Sequence, residues 1–161
     1  DAQLTVTIKN LGDYTDHVKQ LPVGARARVE GPFGSFSYQH ASGTNQIWIA
    51  GGIGITPFIS MAKSLPATSG YHIDLYYCTR NPAEAVYLAE LQHLAPTLTT
   101  IPVYSDEQTR LTADLVKQNS GALDNKDIFI CAPPTMIQAL KKQFIAQGVK
   151  RRLIYSEEFD L

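Results

Sequence analysis

Four short segments carry residue types that nucleotide chemistry requires. Gly51-Gly52-Ile53-Gly54-Ile55-Thr56-Pro57 follows an apolar run and precedes a helical stretch. Glycines there let main-chain N–H groups approach a pyrophosphate, and a helix N-terminus attracts its charge. The pattern from Gly52 is G-x-G-x-x-P, and Pro57 suits the start of a helix. A tight strand-to-helix turn that happens to be glycine-rich reads the same way. Thr79-Arg80 ends a second strand. A dinucleotide fingerprint expects an acid at that tip to hold a ribose 2′-hydroxyl. Asp74 lies inside the strand and does not reach the tip, whereas arginine suits a 2′-phosphate, or is simply solvated. Ser105-Asp106-Glu107-Gln108-Thr109-Arg110 offers a hydroxyl and a guanidinium on one loop. They can share a phosphate if Asp106 and Glu107 turn away; an ordinary polar loop has this composition too. Cys131-Ala132-Pro133-Pro134-Thr135-Met136 forms a stiff turn that presents Cys131. A catalytic thiol needs a base, and no histidine stands nearby in the sequence. Composition alone therefore favours buried packing for Cys131.

The elements that position these segments read as an alternation. Gln46–Ala50 is a nearly continuous apolar run, as a strand buried on both faces requires. Helix is expected over Pro57–Leu65, Asn81–Leu94, Thr112–Gln118 and Pro134–Gln147, with Gly148 capping the last. Strands are expected over Tyr71–Cys78, Leu98–Tyr104, Asp127–Cys131 and Arg152–Tyr155. This rhythm implies an α/β fold with a doubly wound, five-stranded parallel sheet, order 3-2-1-4-5. All four chemical segments then lie at the C-terminal strand ends, where such sheets bind ligands. Cys78 and Cys131 sit on strands flanking the first, about 9–10 Å apart, beyond disulfide reach. Before residue 40 the pattern differs. Leu4–Ile8, Ala25–Glu30 and Ser35–Tyr38 alternate apolar and polar residues, which predicts antiparallel strands, with a short helix near His17–Leu21. They are too few to close a barrel.

The 161 residues are 44% hydrophobic, which excludes wholesale disorder. A net charge of −1 argues against nucleic acid as a partner. There is no run of about 18 apolar residues to span a bilayer and no signal peptide at the start. Two cysteines and four scattered histidines offer no metal site, and a reducing, cytoplasmic context is the default.

Taken together, the ordered motifs resemble the ferredoxin–NADP⁺ reductase superfamily. Those motifs are Gly31-Pro32-Phe33-Gly34-Ser35-Phe36, Gly51–Pro57, Tyr77-Cys78-Thr79-Arg80, Cys131-Ala132-Pro133-Pro134 and Glu157-Glu158-Phe159. Leu4–Thr15 and the tail look most like its bacterial ferric-reductase and NADPH-oxidase-like branch. The resemblance implies residues 1–40 as the C-terminal remnant of an FAD-binding barrel and residues 45–161 as an NADP-binding domain. The family's Arg-x-[Tyr/Phe]-[Ser/Thr] flavin motif and its flavin-pyrophosphate glycine loop are absent from the chain. The upstream part of the barrel, and a haem-bearing membrane domain before it, are implied partners on the cytoplasmic face of a membrane. By motif, Gly51, Gly52 and Gly54 meet the pyrophosphate of NADPH, with Pro57 starting the helix. Thr56 lies near nicotinamide and flavin. Cys131, Pro133 and Pro134 flank the nicotinamide, which reverses the packing reading. Thr79 and Arg80 take the adenosine side, Ser105 and Arg110 the 2′-phosphate, and Phe159 covers the flavin ring. Thr56, Cys131 and Phe159 would then be the catalytic positions, and no metal is implied. The implied activity passes hydride from NADPH to FAD and on to haem, ferric iron or oxygen. Alternatives are a soluble ferredoxin or oxygenase reductase of the same superfamily and a non-redox nucleotide-binding module; S-adenosylmethionine also suits a glycine turn after a first strand.

Overall fold

The computed structural model describes residues 4–31, 33–66, 70–107 and 110–158. The central strand β1 (Asn45–Gly51) is buried on both faces, as its unbroken apolar run requires. It pairs in parallel with β2 (His72–Thr79) on one side and β4 (Asp127–Ala132) on the other. Beyond them lie β3 (Leu98–Tyr104) and β5 (Ile154–Glu158), giving the order β3-β2-β1-β4-β5. The expected doubly wound five-stranded sheet is therefore present. Strand order reverses between β1 and β4, so the turns leaving those two strands stand side by side.

Helices cover both faces. Trp48, Leu75, Tyr77 and Phe129 point to the layer of α2 (Thr56–Lys63) and α3 (Leu88–Gln92). Ile47, Ile49, Tyr76 and Ile130 point to the layer of α4 (Ala113–Ser120) and α5 (Pro134–Ala146). Aromatic packing organises the first layer. Trp48 stacks on Phe58 at 5.4 Å, and Phe36 sits edge-on to both Phe58 and Phe129. Cys131 belongs to this layer and Cys78 to the other, so they are separated by β1 and face opposite ways. Both thiols are free, as two strand spacings demand.

Three expectations are corrected. The helix over Asn81–Leu94 is broken into a 3₁₀ turn, Pro82–Glu84, and the short α3. Ala85 leaves helical geometry at ψ 53° and buries against the sheet, so tertiary burial overrides helix propensity there. The last strand begins two residues late, because Arg151–Leu153 makes a 3₁₀ turn that buries Leu153 and leaves both arginines exposed. Thirdly, no strand forms among the described residues before Asn45. Leu4, Val6, Ile8 and Val29 are exposed, and an alternating segment without a ladder partner has nowhere to place its N–H and C=O groups except water.

The chain divides into two compact units, Asp1–Ser35 and Phe36–Leu161. Tyr38 anchors the start of the second unit: it is buried, its N–H donates to Met61 Sδ and its hydroxyl donates to the Ser64 carbonyl. Gln46 Nε2 then donates to the Tyr38 and Gly43 carbonyls, and Asp127 Oδ2 accepts from Gly43 N–H. Among the described residues of the first unit the one helix is α1 (Asp13–Val18), a turn earlier than the His17–Leu21 expectation. Thr15 Oγ1 accepts from Leu11 and Gly12 N–H, and Asp13 and Asp16 complement the helix N-terminus.

Candidate functional site

The two chemical turns at the point of strand reversal meet in close contact. A Cβ built on Gly54 would lie 2.1 Å from the Cys131 carbonyl oxygen. One built on Gly51 would lie 2.8 Å from Ala132 Cβ and 2.9 Å from Pro133 Cδ. Both glycines therefore exist so that the β1 turn can press on the end of β4. Gly52 is different. Its φ of 56° is left-handed, which favours glycine, and the space off its α-carbon is open. Of the three glycines expected at a pyrophosphate, Gly52 is the one with room for a ligand on its Cβ side. The turn continues as a 3₁₀ segment, Gly52–Ile55, straight into α2. Thr56 is half-buried and its hydroxyl donates to the Ile53 carbonyl at 3.2 Å. Pro57 lies in the first turn of α2, and Pro133 and Pro134 open α5 in the same way. Two helix N-termini thus flank one crevice, an arrangement that favours an anion.

The β2 and β3 tips form a separate polar rim. Thr79 is buried, and its hydroxyl donates to the Asn81 carbonyl at 3.0 Å. Arg80 is exposed, with Nη2 2.6 Å from Glu84 Oε1. Asp106 N–H donates to the Arg80 carbonyl at 2.9 Å, and Asn81 Nδ2 donates to Asp106 Oδ2 at 3.3 Å. These bonds hold the two loops together. Glu84 and Asp106 raise the Arg80 pKa, chiefly through the Glu84 hydrogen bond, so its charge is secure. Ser105 begins the 3₁₀ turn Ser105–Glu107 and is exposed, as is Arg110. Phe159 lies outside the described residues.

The profile of the oxidoreductase NAD-binding domain family matches residues 48–142. The chain belongs to that family. The NAD-binding domain is 27% identical over 141 residues to a vanillate O-demethylase oxidoreductase of Pseudomonas putida. It is 32% identical over 142 residues to a heme-dependent oxidative N-demethylase beta subunit of Ectopseudomonas mendocina. Each alignment covers 88% of this chain and 44% of the relative, so the chain spans less than half of either protein. The fold superposes on the flavohemoglobin of Malassezia yamatoensis, solved with bound FAD and heme, with a TM-score of 0.80. That match has 20% identity and covers 96% of this chain and 43% of the flavohemoglobin. The ferredoxin–NADP⁺ reductase superfamily read from the motifs is the superfamily of this NAD-binding domain.

Within the NAD-binding domain Cys131 is wholly buried. Burial pushes its thiol up to about 12, and the nearby Glu157 charge adds to the shift. Cys131 and Glu157 are in register across β4 and β5. A thiol in that state is neutral at pH 7 and is no nucleophile. It also packs in the core, so the residue carries packing whatever else it touches. Among the described residues no group of three His, Cys, Asp or Glu side chains is placed to hold a metal. No described helix is long and apolar enough to cross a membrane.

Two residues of this region escaped the sequence reading. Glu84 pairs with Arg80, and the signal was its spacing four residues on, which was absorbed into an expected helix cap. Glu157 was noted only as part of a terminal motif; its place beside Cys131 follows from strand register, which sequence spacing does not reveal.

Proposed function

We propose that this chain is the NADPH-binding half of a flavin-dependent reductase of the ferric-reductase and NADPH-oxidase-like branch. Residues 1–40 are then the end of its FAD-binding barrel, with a haem-bearing membrane domain upstream and the NAD-binding domain on the cytoplasmic side. The observation that carries the reading is the strand reversal between β1 and β4, where a Cβ on Gly52 would meet open space and the adjacent turns lead into α2 and α5. When bound, NADPH supplies a hydride for FAD, whose electrons go on to haem, ferric iron or oxygen.

This chain's own residues need neither a nucleophile nor a general acid for that. Gly52 admits the pyrophosphate, and the starts of α2 and α5 offset its charge. Thr56, Pro133 and Pro134 make one wall for the nicotinamide, and the neutral Cys131 thiol packs behind it and adds no charge. Phe159 shields the flavin. Orientation of two rings supplies much of such a rate. Thr79 shapes the β2 tip, while Arg80, Ser105 and Arg110 take the adenosine end and its 2′-phosphate.

A second reading is favoured by the names of two relatives, a vanillate O-demethylase oxidoreductase and a heme-dependent oxidative N-demethylase subunit. In it the parent enzyme feeds an oxygenase. Both readings predict the same first result. Calorimetry on the 161-residue chain should show NADPH binding, and S-adenosylmethionine should leave the melting temperature unchanged. Stabilisation by S-adenosylmethionine alone would overturn the redox reading. The chain should also purify without tight flavin; a yellow protein with stoichiometric FAD would contradict the assignment of residues 1–40 as a remnant.

A further inference from the structure

We propose that Glu84 sets how strongly this domain prefers a 2′-phosphorylated nucleotide, by competing with that phosphate for the Arg80 guanidinium. The inference rests on the reading that Arg80 faces the 2′ position of the adenosine ribose. Arg80 is not a bare cation. One oxygen of Glu84 takes Nη2 at 2.6 Å, and the other accepts from the Arg80 main-chain N–H at 3.4 Å. A single carboxylate therefore holds both ends of the residue.

The carboxylate is the better-fixed partner. Glu84 is 34% exposed at the side chain and Arg80 is 71% exposed. The Glu84 backbone is anchored in the Pro82–Glu84 turn, where its N–H donates to the Asn81 carbonyl at 3.2 Å. Asn81 is in turn tied to Thr79 Oγ1 and to Asp106 Oδ2. The guanidinium sits on a long, exposed stem, whereas the acid is shorter, less exposed and set on an anchored turn. A dianionic 2′-phosphate reaching Arg80 must share the guanidinium with Glu84 or displace it, and the charge of Asp106 also acts on the same arginine. A ribose 2′-hydroxyl meets no such opposition, since it can donate to a carboxylate. Glu84 thus weakens the phosphate-bearing nucleotide and leaves the other untouched, which makes it a specificity-determining residue.

The probes are 2′,5′-ADP and 5′-AMP, which differ at the 2′ position and need no flavin. Their affinities for the full chain are measured by calorimetry at low salt. Glu84→Gln keeps the shape and removes the charge. It should tighten 2′,5′-ADP by about three- to tenfold, the range that an exposed ion pair and one nearby like charge supply. Affinity for 5′-AMP should stay within about twofold, and the gain should shrink in high salt. In an Arg80→Ala background Glu84→Gln should give much less, because the contested group is gone; Glu84→Ala gives a second route if the amide re-pairs with Arg80. Equal tightening of both probes, or none with 2′,5′-ADP while Arg80→Ala weakens it, overturns the role of Glu84 and leaves the Arg80 reading intact. If the unmutated chain binds both probes equally and Arg80→Ala changes neither, the reading of Arg80 fails and the inference with it.

Discussion

The β1–β4 crevice and the β2–β3 rim end the same parallel sheet, but different forces hold them. In the crevice Gly51 and Gly54 are pressed on the end of β4 so closely that no side chain fits. Cys131 beneath them is sealed from water. At the rim the contacts are polar and the key side chain is exposed: Arg80 to Glu84, and the Asp106 main chain to Arg80. Packed interiors are stiff and respond to single methyl groups, while exposed ion pairs contribute roughly 0–1 kcal/mol and yield to salt. On the proposed reading the crevice would fix where a dinucleotide's centre lies, and the rim would decide which end group it accepts. Specificity set at such a rim would be adjustable, because it is kept away from the packing that the fold depends on.

The sharpest way to break that contrast is Gly54→Ala. Its new methyl would lie 2.1 Å from the Cys131 carbonyl oxygen, so the strand-to-helix turn must move off β4. We expect about 3 kcal/mol of lost stability, the upper end for overpacking. Gly52→Ala meets only open space and pays for its left-handed φ, roughly 1–2 kcal/mol. Yet it should impair nucleotide binding more than its stability cost explains. Chemical denaturation and calorimetry on both variants separate the two. Equal stability losses would show that the crevice is not held by close packing.

Cys131→Ser comes next. It puts a hydroxyl where the structure buries a thiol, and an unpartnered buried hydroxyl costs about 1–3 kcal/mol. A Cys131 that flanks the nicotinamide, as the family motifs imply, would therefore carry packing as well. Alkaline pH reads the same residue. Its folded thiol is raised to about 12, above the ordinary value of 9.0, so the folded state keeps a proton that the unfolded state loses. Stability contributed by the protonated thiol is full below pH 9 and falls as pH rises through that window. The slope is about 1.4 kcal/mol per pH unit for one such group. Tyr77, also raised to about 12, adds its own share from pH 10 upward. Urea titrations of the unmutated chain and Cys131→Ala between pH 8 and pH 11 isolate the thiol; parallel stability curves would refute its burial as a free acid.

Much of this architecture was readable in advance, for reasons particular residues make clear. Gln46–Ala50 announces itself because a central strand in a parallel sheet is apolar on both faces and bounded by turn residues. The same period-2 rule misled over Leu4–Ile8 and Ala25–Glu30. Alternation says which face a strand would bury, and says nothing about whether a neighbour is there to pair with it. The Asn81–Leu94 helix failed because Ala85 is claimed by the sheet, a demand that local propensity does not contain. The candidate site divides in the same way. Its backbone features were legible from glycine and proline placement, whereas the partners of Arg80 and Cys131 depend on packing and strand register.

The smallest effect expected is also the one that tests the rim directly. Arg80→Ala removes a charge-assisted contact worth roughly 1.5–3 kcal/mol when a guanidinium is uncommitted. From sequence alone that implies about ten- to a hundredfold weaker NADPH binding. The structure lowers the expectation, because Arg80 is 71% exposed and already holds Glu84 at 2.6 Å. Breaking that pair offsets part of what the phosphate gains, so about three- to tenfold is the expected loss at low salt, with NADH nearly unchanged. Arg110→Ala should act in the same direction, since Arg110 is exposed on the loop beyond β3. Neither substitution should alter thermal stability by more than about 0.5 kcal/mol, because each side chain lies outside the packed layers. Raising the ionic strength should erase the difference between NADPH and NADH before it erases binding, since screening reaches an exposed rim ahead of a dry crevice. Loss of both nucleotides in either variant would mean that the arginine grips the shared pyrophosphate, and the division between crevice and rim would fall.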